Sequence, residues 1–175
     1  MFREEIATID DVLVESPTIE TDYEIKRGKP MPSFNHAYVQ SNTTTALRNK
    51  YKHQFTILPE LDLDLPNATK PTVPDICIFP KREGNLSKDI LKVKDPPLTT
   101  IEIVSPSQTL DEMKDKIFQN YFPAGVKSAW LIIPPARAVV IYTPDKKFKT
   151  YVSGEFTDPA TGITLAVDEV FEDLE

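Results

Sequence analysis

Glycine is scarce in this chain: five in 175 residues, too few and too scattered to build a glycine-rich phosphate loop. A single cysteine, Cys77, excludes an internal disulfide, and its place in an apolar run makes it a core residue suited to a reducing cytoplasm. The only histidines, His36 and His53, share no metal-binding spacing, so each is expected to be a cap or a surface residue. No apolar run approaches the roughly 20 residues that span a bilayer. The opening Met1-Phe2-Arg3-Glu4-Glu5 lacks the apolar core of an export signal, so the expected location is cytoplasmic, away from membranes. Ser105-Pro106-Ser107 has none of the flanking glycines of a nucleophile elbow, which sets aside a serine hydrolase.

Positive charge is also in deficit. The net charge is −7 and the pI about 4.9, whereas proteins that bind nucleic acid usually present a basic face. Two local clusters run against that balance: Arg48, Lys50, Lys52 and His53, and then Lys81, Arg82, Lys88, Lys92 and Lys94. Their bland reading is solvated loop charge.

What is present is ordinary for a soluble globular protein: 40% hydrophobic and 27% charged residues, enough for one core and cramped for two. Residues 1–20 read as an acidic arm with a short helix around Ile9 to Val14, and residues 21–175 as one domain. Tyr23 to Arg27 reads as a strand that turns at Gly28. A helix from His36 to about Lys50 is expected behind a Ser33 cap, with Val39, Thr43, Ala46 and Leu47 on its inner face. Strands are expected at Phe55 to Leu58, Leu61 to Leu65, Val73 to Phe79, Thr99 to Val104, Trp130 to Ile133, Ala138 to Tyr142, Phe148 to Val152 and Ile163 to Val167. Thr109 and Glu112 have capping-box spacing and open a helix that reaches Tyr121 and stops at Pro123-Ala124-Gly125. The order is strand-rich with two helices, a mixed α/β arrangement.

Two of those apolar strands carry an acid. Asp75 lies in Val73-Pro74-Asp75-Ile76-Cys77-Ile78-Phe79, and Glu102 in Thr99-Thr100-Ile101-Glu102-Ile103-Val104. A carboxylate inside such a run is unfavourable unless something positive shares its site. Magnesium or manganese needs only one or two protein carboxylates, and the backbone carbonyl of Ile103 adds a possible third oxygen. Such a metal polarises a phosphoryl oxygen and lowers the pKa of a bound water. A helical wheel through Leu110, Met113, Ile117, Phe118 and Tyr121 places Lys114 on the inner face and Lys116 on the opposite side. Lys114 is therefore the expected cation beside the acids. Glu60, Asp62 and Asp64 read as acids alternating on a solvated strand face.

At these residues the sequence resembles the Uma family of endonucleases, in the PD-(D/E)xK superfamily with its restriction-endonuclease-like fold. The matching stretches are Tyr23-Glu24-Ile25, His36, Val73 to Ile76, Ile101 to Gln108, the Lys114/Lys116 helix with Tyr121, Gly125-Val126 leading into Trp130-Leu131-Ile132, and Ile163 to Phe171. The resemblance implies an α+β fold, a mixed β-sheet flanked by helices. It makes Asp75 the aspartate of the PD element and Glu102 the acid of the second element. The lysine two positions on is replaced here by Val104, and the resemblance implies a substitute from the following helix, where its spacing favours Lys116 and the wheel favours Lys114. Gln108 is a third polar group for the metal's surroundings. The implied activity is metal-dependent hydrolysis of nucleic acid, DNA above all, by a homodimer. The competing reading is an inactive interaction module on the same fold.

Overall fold

β-branched and aliphatic runs bounded by proline and charge become the central sheet. The computed structural model describes residues 24, 25 and 28–175. The acidic arm and the helix expected near Ile9 lie outside the described residues, as do Tyr23, Lys26 and Arg27. The strands of the sheet are β1 (Phe55–Pro59), β2 (Ile76–Pro80), β3 (Thr99–Ile103), β4 (Ser128–Ile133), β5 (Ala138–Tyr142) and β6 (Phe148–Tyr151), adjacent in that order. All neighbours are antiparallel except β3 and β4. That parallel step requires a crossover, supplied by α2 (Leu110–Lys116) and a π turn over Ile117–Tyr121. The earlier helix is α1 (Phe34–Tyr51). A two-stranded sheet, β7 (Glu155–Thr157) with β8 (Thr164–Ala166), and a short α3 (Val167–Val170) complete the fold. This is the mixed sheet flanked by helices that the sequence implied.

Alternation along the strands sorts the core into two layers. Ile76, Ile78, Ile101, Ile103, Trp130, Ile132, Val139 and Ile141 pack against α1 through Val39 and Leu47, and against the β7–β8 hairpin and α3 through Phe156, Leu165 and Val170. Cys77, Phe79, Ala129, Leu131, Val140 and Tyr142 form the other face, covered by Met113, Ile117 and Tyr121 of the crossover and by Leu63 and Leu65. Burial of these side chains at about 25 cal/mol per Å² of apolar surface is the main force holding α2 and α1 to opposite faces.

The hairpin is pinned by an acid. Asp158 is fully buried and accepts from Thr99 Oγ1 at 2.7 Å, Ser128 Oγ at 2.5 Å and Thr161 Oγ1 at 2.6 Å. It thereby ties the β7–β8 connection to the first residues of both parallel strands, the ends remote from Glu102.

Several expectations need correction. Glu24 and Ile25 are helical, not strand, and Gly28 (φ 71°) donates its N–H to the Glu24 carbonyl at 2.8 Å, a left-handed helix stop. Leu61 to Leu65 is no strand: Leu63 alone bridges Thr72 and Val93, because Glu60 turns the chain with φ 53° and Pro66 stops it. β7 and α3 were not expected. The Thr109–Glu112 capping box is present in both directions, at 3.2 and 2.8 Å.

Candidate active site

The antiparallel register of β2 and β3 pairs Ile76 with Ile101. One step further, Asp75 comes directly across from Glu102, at the end of the sheet where the two strands leave it. Both acids are 1% exposed. Expectation and structure agree here: neighbouring strands carry the acids to one place.

Each acid has its own lysine. Asp75 Oδ1 accepts from the Lys29 ammonium. Its Oδ2 accepts from the Ile103 N–H at 2.7 Å and lies 3.2 Å from His36 Nε2. Burial pushes the Asp75 pKa up, but the hydrogen bond from His36 and the charges of Lys29 and His36 outweigh it. The carboxyl is held well below the usual carboxylate range. Lys29 also stands 3.6 Å from Glu60 Oε1, and Gln40 Nε2 donates to both Glu60 Oε1 (3.1 Å) and the Asp75 carbonyl (3.0 Å).

Glu102 Oε1 takes the Lys116 ammonium at 2.8 Å and the Tyr121 hydroxyl. Burial and the neighbouring Glu102 charge push the Tyr121 pKa well above 10, so its phenol stays protonated and donates. Thr72 Oγ1 sits 3.2 Å behind that hydroxyl. Glu102 Oε2, buried as well, has no partner among the described residues.

The wheel placed the lysines the wrong way round. Among the described residues Lys114 reaches only Asp111, at 3.8 Å, and its side chain is 46% exposed, whereas the Lys116 side chain is 17% exposed and meets Glu102. The buried positions are Met113, Ile117, Asn120 and Tyr121, and Lys116 belongs to their meridian. Leu110, used to phase the wheel, is the first helical residue and is 42% exposed. The π turn, closed by the Phe122 N–H on the Ile117 carbonyl at 3.1 Å, ends at Tyr121, whose hydroxyl meets Glu102.

Gln108 lies in the turn ahead of α2, where its Oε1 accepts from the Ser105 N–H at 3.0 Å. Ile103 joins the site through its N–H. His36 is neither cap nor surface residue: it is 3% exposed and continues the buried Val39–Thr43–Leu47 row of α1 one turn back. That spacing was the signal available for it. Lys29 had none, being 46 positions from its partner. Glu60, read as a solvated strand acid, borders the site instead. The two basic clusters meet at the far end of β2, where the Lys81 ammonium donates to the Lys52 carbonyl at 2.7 Å, so neither lines the acids.

Among the described residues, no group of three or more His, Cys, Asp or Glu is placed to hold a metal ion. A divalent cation with waters in its shell asks for less. A carboxylate offers about four lone-pair sites; Glu102 leaves both on Oε2 unused, and Asp75 has three occupied. That donor set, all oxygen, fits a magnesium-type ion. No helix among the described residues is long and apolar enough to cross a membrane.

A mixed sheet with paired acids at the end of two adjacent strands and a lysine from the crossover helix defines a nuclease-type architecture. The chain belongs to the Uma2 family, described as "Putative restriction endonuclease", whose model matches residues 15–175. Among solved structures it is similar to "a putative nuclease belonging to DUF820" from Anabaena variabilis. The TM-score is 0.67 at 25% identity, over 81% of this chain and 83% of that one. No curated protein matches the sequence.

Proposed function

We propose that this chain is a divalent-metal-dependent endonuclease that hydrolyses phosphodiester bonds in nucleic acid, with DNA the first substrate to test. The observation that carries the reading is the buried Glu102 carboxylate, with one oxygen unpartnered, Lys116 on the other at 2.8 Å, and Asp75 directly across the strand pair. Glu102, Asp75 and the Ile103 carbonyl are the groups that would hold magnesium or manganese. When bound, the metal supplies Lewis-acid polarisation of the phosphoryl oxygen and a more acidic water.

The chain's own residues do the rest. Lys116 keeps a positive charge beside the acids and stands ready to orient water or stabilise charge developing at phosphorus. Tyr121 holds the Glu102 carboxylate in place and leaves Oε2 facing away from its hydrogen bonds. Lys29 and His36 keep Asp75 ionised. Lys114 and Gln108 take no part in this arrangement. The family likeness brings a homodimer into the same reading, which a monomeric mass by light scattering at micromolar concentration would remove.

The test is cleavage of plasmid, linear duplex and single-stranded oligonucleotides with magnesium or manganese, run beside Glu102→Gln. Cleavage by the natural chain and not by the variant supports the proposal, as does a manganese-induced rise in melting temperature that Asp75→Ala loses. Absence of cleavage and of a metal-induced shift under all these conditions refutes it. The nuclease-fold interaction module then becomes the better account.

A further inference from the structure

A second feature lies on the Glu102 face of the sheet and has no part in the acid site. Lys114, Phe118, Tyr142, Lys146 and Phe148 line an open cavity of about 370 Å³, within the roughly 300–1,000 Å³ range of small-ligand clefts. Three rings make its walls. Phe118 meets Tyr142 edge-on, with centroids 5.8 Å apart at 84°, and Phe148 lies against Tyr142 at 5.7 Å and 39°. Phe148, on the edge strand β6, is 66% exposed, so most of its ring beyond the Tyr142 contact is open to solvent.

The rim is cationic in an acidic protein. Lys146 has no carboxylate partner among the described residues, and Lys114 has only the distant, exposed Asp111. The larger cavity elsewhere, about 680 Å³, has the opposite character: Asp168, Glu169, Glu172, Asp173 and Glu175 face it with a single Arg137, and it would repel an anion. Aromatic faces flanked by ammonium groups match an unstacked nucleobase with its flanking phosphates, because the base supplies a π-face and the backbone supplies negative charge.

Position agrees with chemistry. Tyr142 pairs with Ala129, and Ala129 with Thr100, two residues before Glu102 on β3. Two strand spacings sideways and two residues along put the groove about 12 Å from Glu102. That spans about three to four stacked nucleotides at 3.4 Å each. Lys114 and Lys116 are two residues apart on α2, about half a turn, so one lines the groove and the other meets the acids. We propose that this groove is a stacking subsite for an unpaired base of single-stranded nucleic acid, holding the strand a few nucleotides from the scissile phosphate. The proposal rests on the nuclease reading for its orientation, though not for its binding chemistry.

The experiment is fluorescence anisotropy of the full chain with a labelled single-stranded oligonucleotide carrying one 2-aminopurine, in EDTA so that no cleavage intervenes. Single strand should bind better than duplex of equal length, with quenching of the 2-aminopurine on stacking. Phe148→Ala, a change at an exposed ring, should weaken single-strand binding on the order of tenfold, and Phe148→Tyr should not. Lys146→Ala should lower the slope of log K against log salt by about 0.7, one phosphate contact on a single strand. Unchanged affinity and quenching in Phe148→Ala overturns the subsite, and does so even if the chain cleaves DNA. A change of oligomeric mass in Phe148→Ala without a change in binding also overturns it, assigning the groove to a second copy of the chain. Loss of binding in Phe148→Ala with no nuclease activity in any condition supports the subsite and refutes only the hydrolytic reading.

Discussion

Lys116→Met keeps the stem of the side chain and deletes its charge, leaving Glu102 buried with only the Tyr121 hydroxyl for company. At 2.8 Å and an effective dielectric near 20, the lost Coulomb attraction is about 6 kcal/mol, part of which the desolvation of both charges already offsets. Breaking a buried pair from one side typically destabilises by 3–5 kcal/mol. The variant should therefore lose about 3–5 kcal/mol, some 10 °C in Tm for a chain this long.

Trp130, the single tryptophan, is fully buried in the sheet and reports the transition. Urea unfolding followed by its fluorescence at pH 7 gives the difference directly, provided the slope m is unchanged. Adding Glu102→Gln to Lys116→Met should recover most of the loss at pH 7, since no charge is then left unpaired. Lys114→Met should stay within about 0.5 kcal/mol of the natural chain, as expected for an exposed lysine with a distant partner. A loss that the added Glu102→Gln does not recover would refute the electrostatic reasoning and point to packing. Equal losses in Lys114→Met and Lys116→Met would refute the placement of the helix. In the cleavage assay the same pair should separate by about 10²-fold or more in rate, with Lys116→Met the slower.

Asp158→Ala removes the acceptor shared by three buried or half-buried hydroxyls and should destabilise by about 3 kcal/mol or more in the same urea assay; a loss below about 1 kcal/mol would show that water replaces it. The pKa of Asp75 lies below its ordinary value in the folded chain, so as pH falls the unfolded chain takes up a proton first. Its contribution is complete at neutral pH and drains away below about pH 4, and a melting curve series from pH 7 to pH 3 should show a steeper acid limb in the natural chain than in Asp75→Asn.

The strands of the sheet were legible because burial on both faces leaves β-branched runs that few other structures produce, and proline and charge mark their ends. Asp75 and Glu102 were legible for the same reason: an acid inside such a run is an anomaly visible in a row of letters. Their cations are not anomalies. A lysine after a glycine turn, or one of two lysines on a charged helix, is what any exposed surface carries, and only the folded chain shows Lys29 buried and Lys116 half-buried against acids. The periodic signal also failed where the period itself changes. An α-helical wheel cannot anticipate the π turn at Ile117–Tyr121, and phasing it on exposed Leu110 rotated the inner face away from Lys116. That turn has a physical consequence as well as a diagnostic one. Without it Tyr121 would sit further round the helix, its hydroxyl away from Glu102, and the carboxylate would lose the donor that fixes which oxygen faces the lysine and which remains unpartnered. The buried acid thus takes its hydroxyl donor from the irregular turn, and an irregularity in a helix beside a buried charge is itself a pointer to a site.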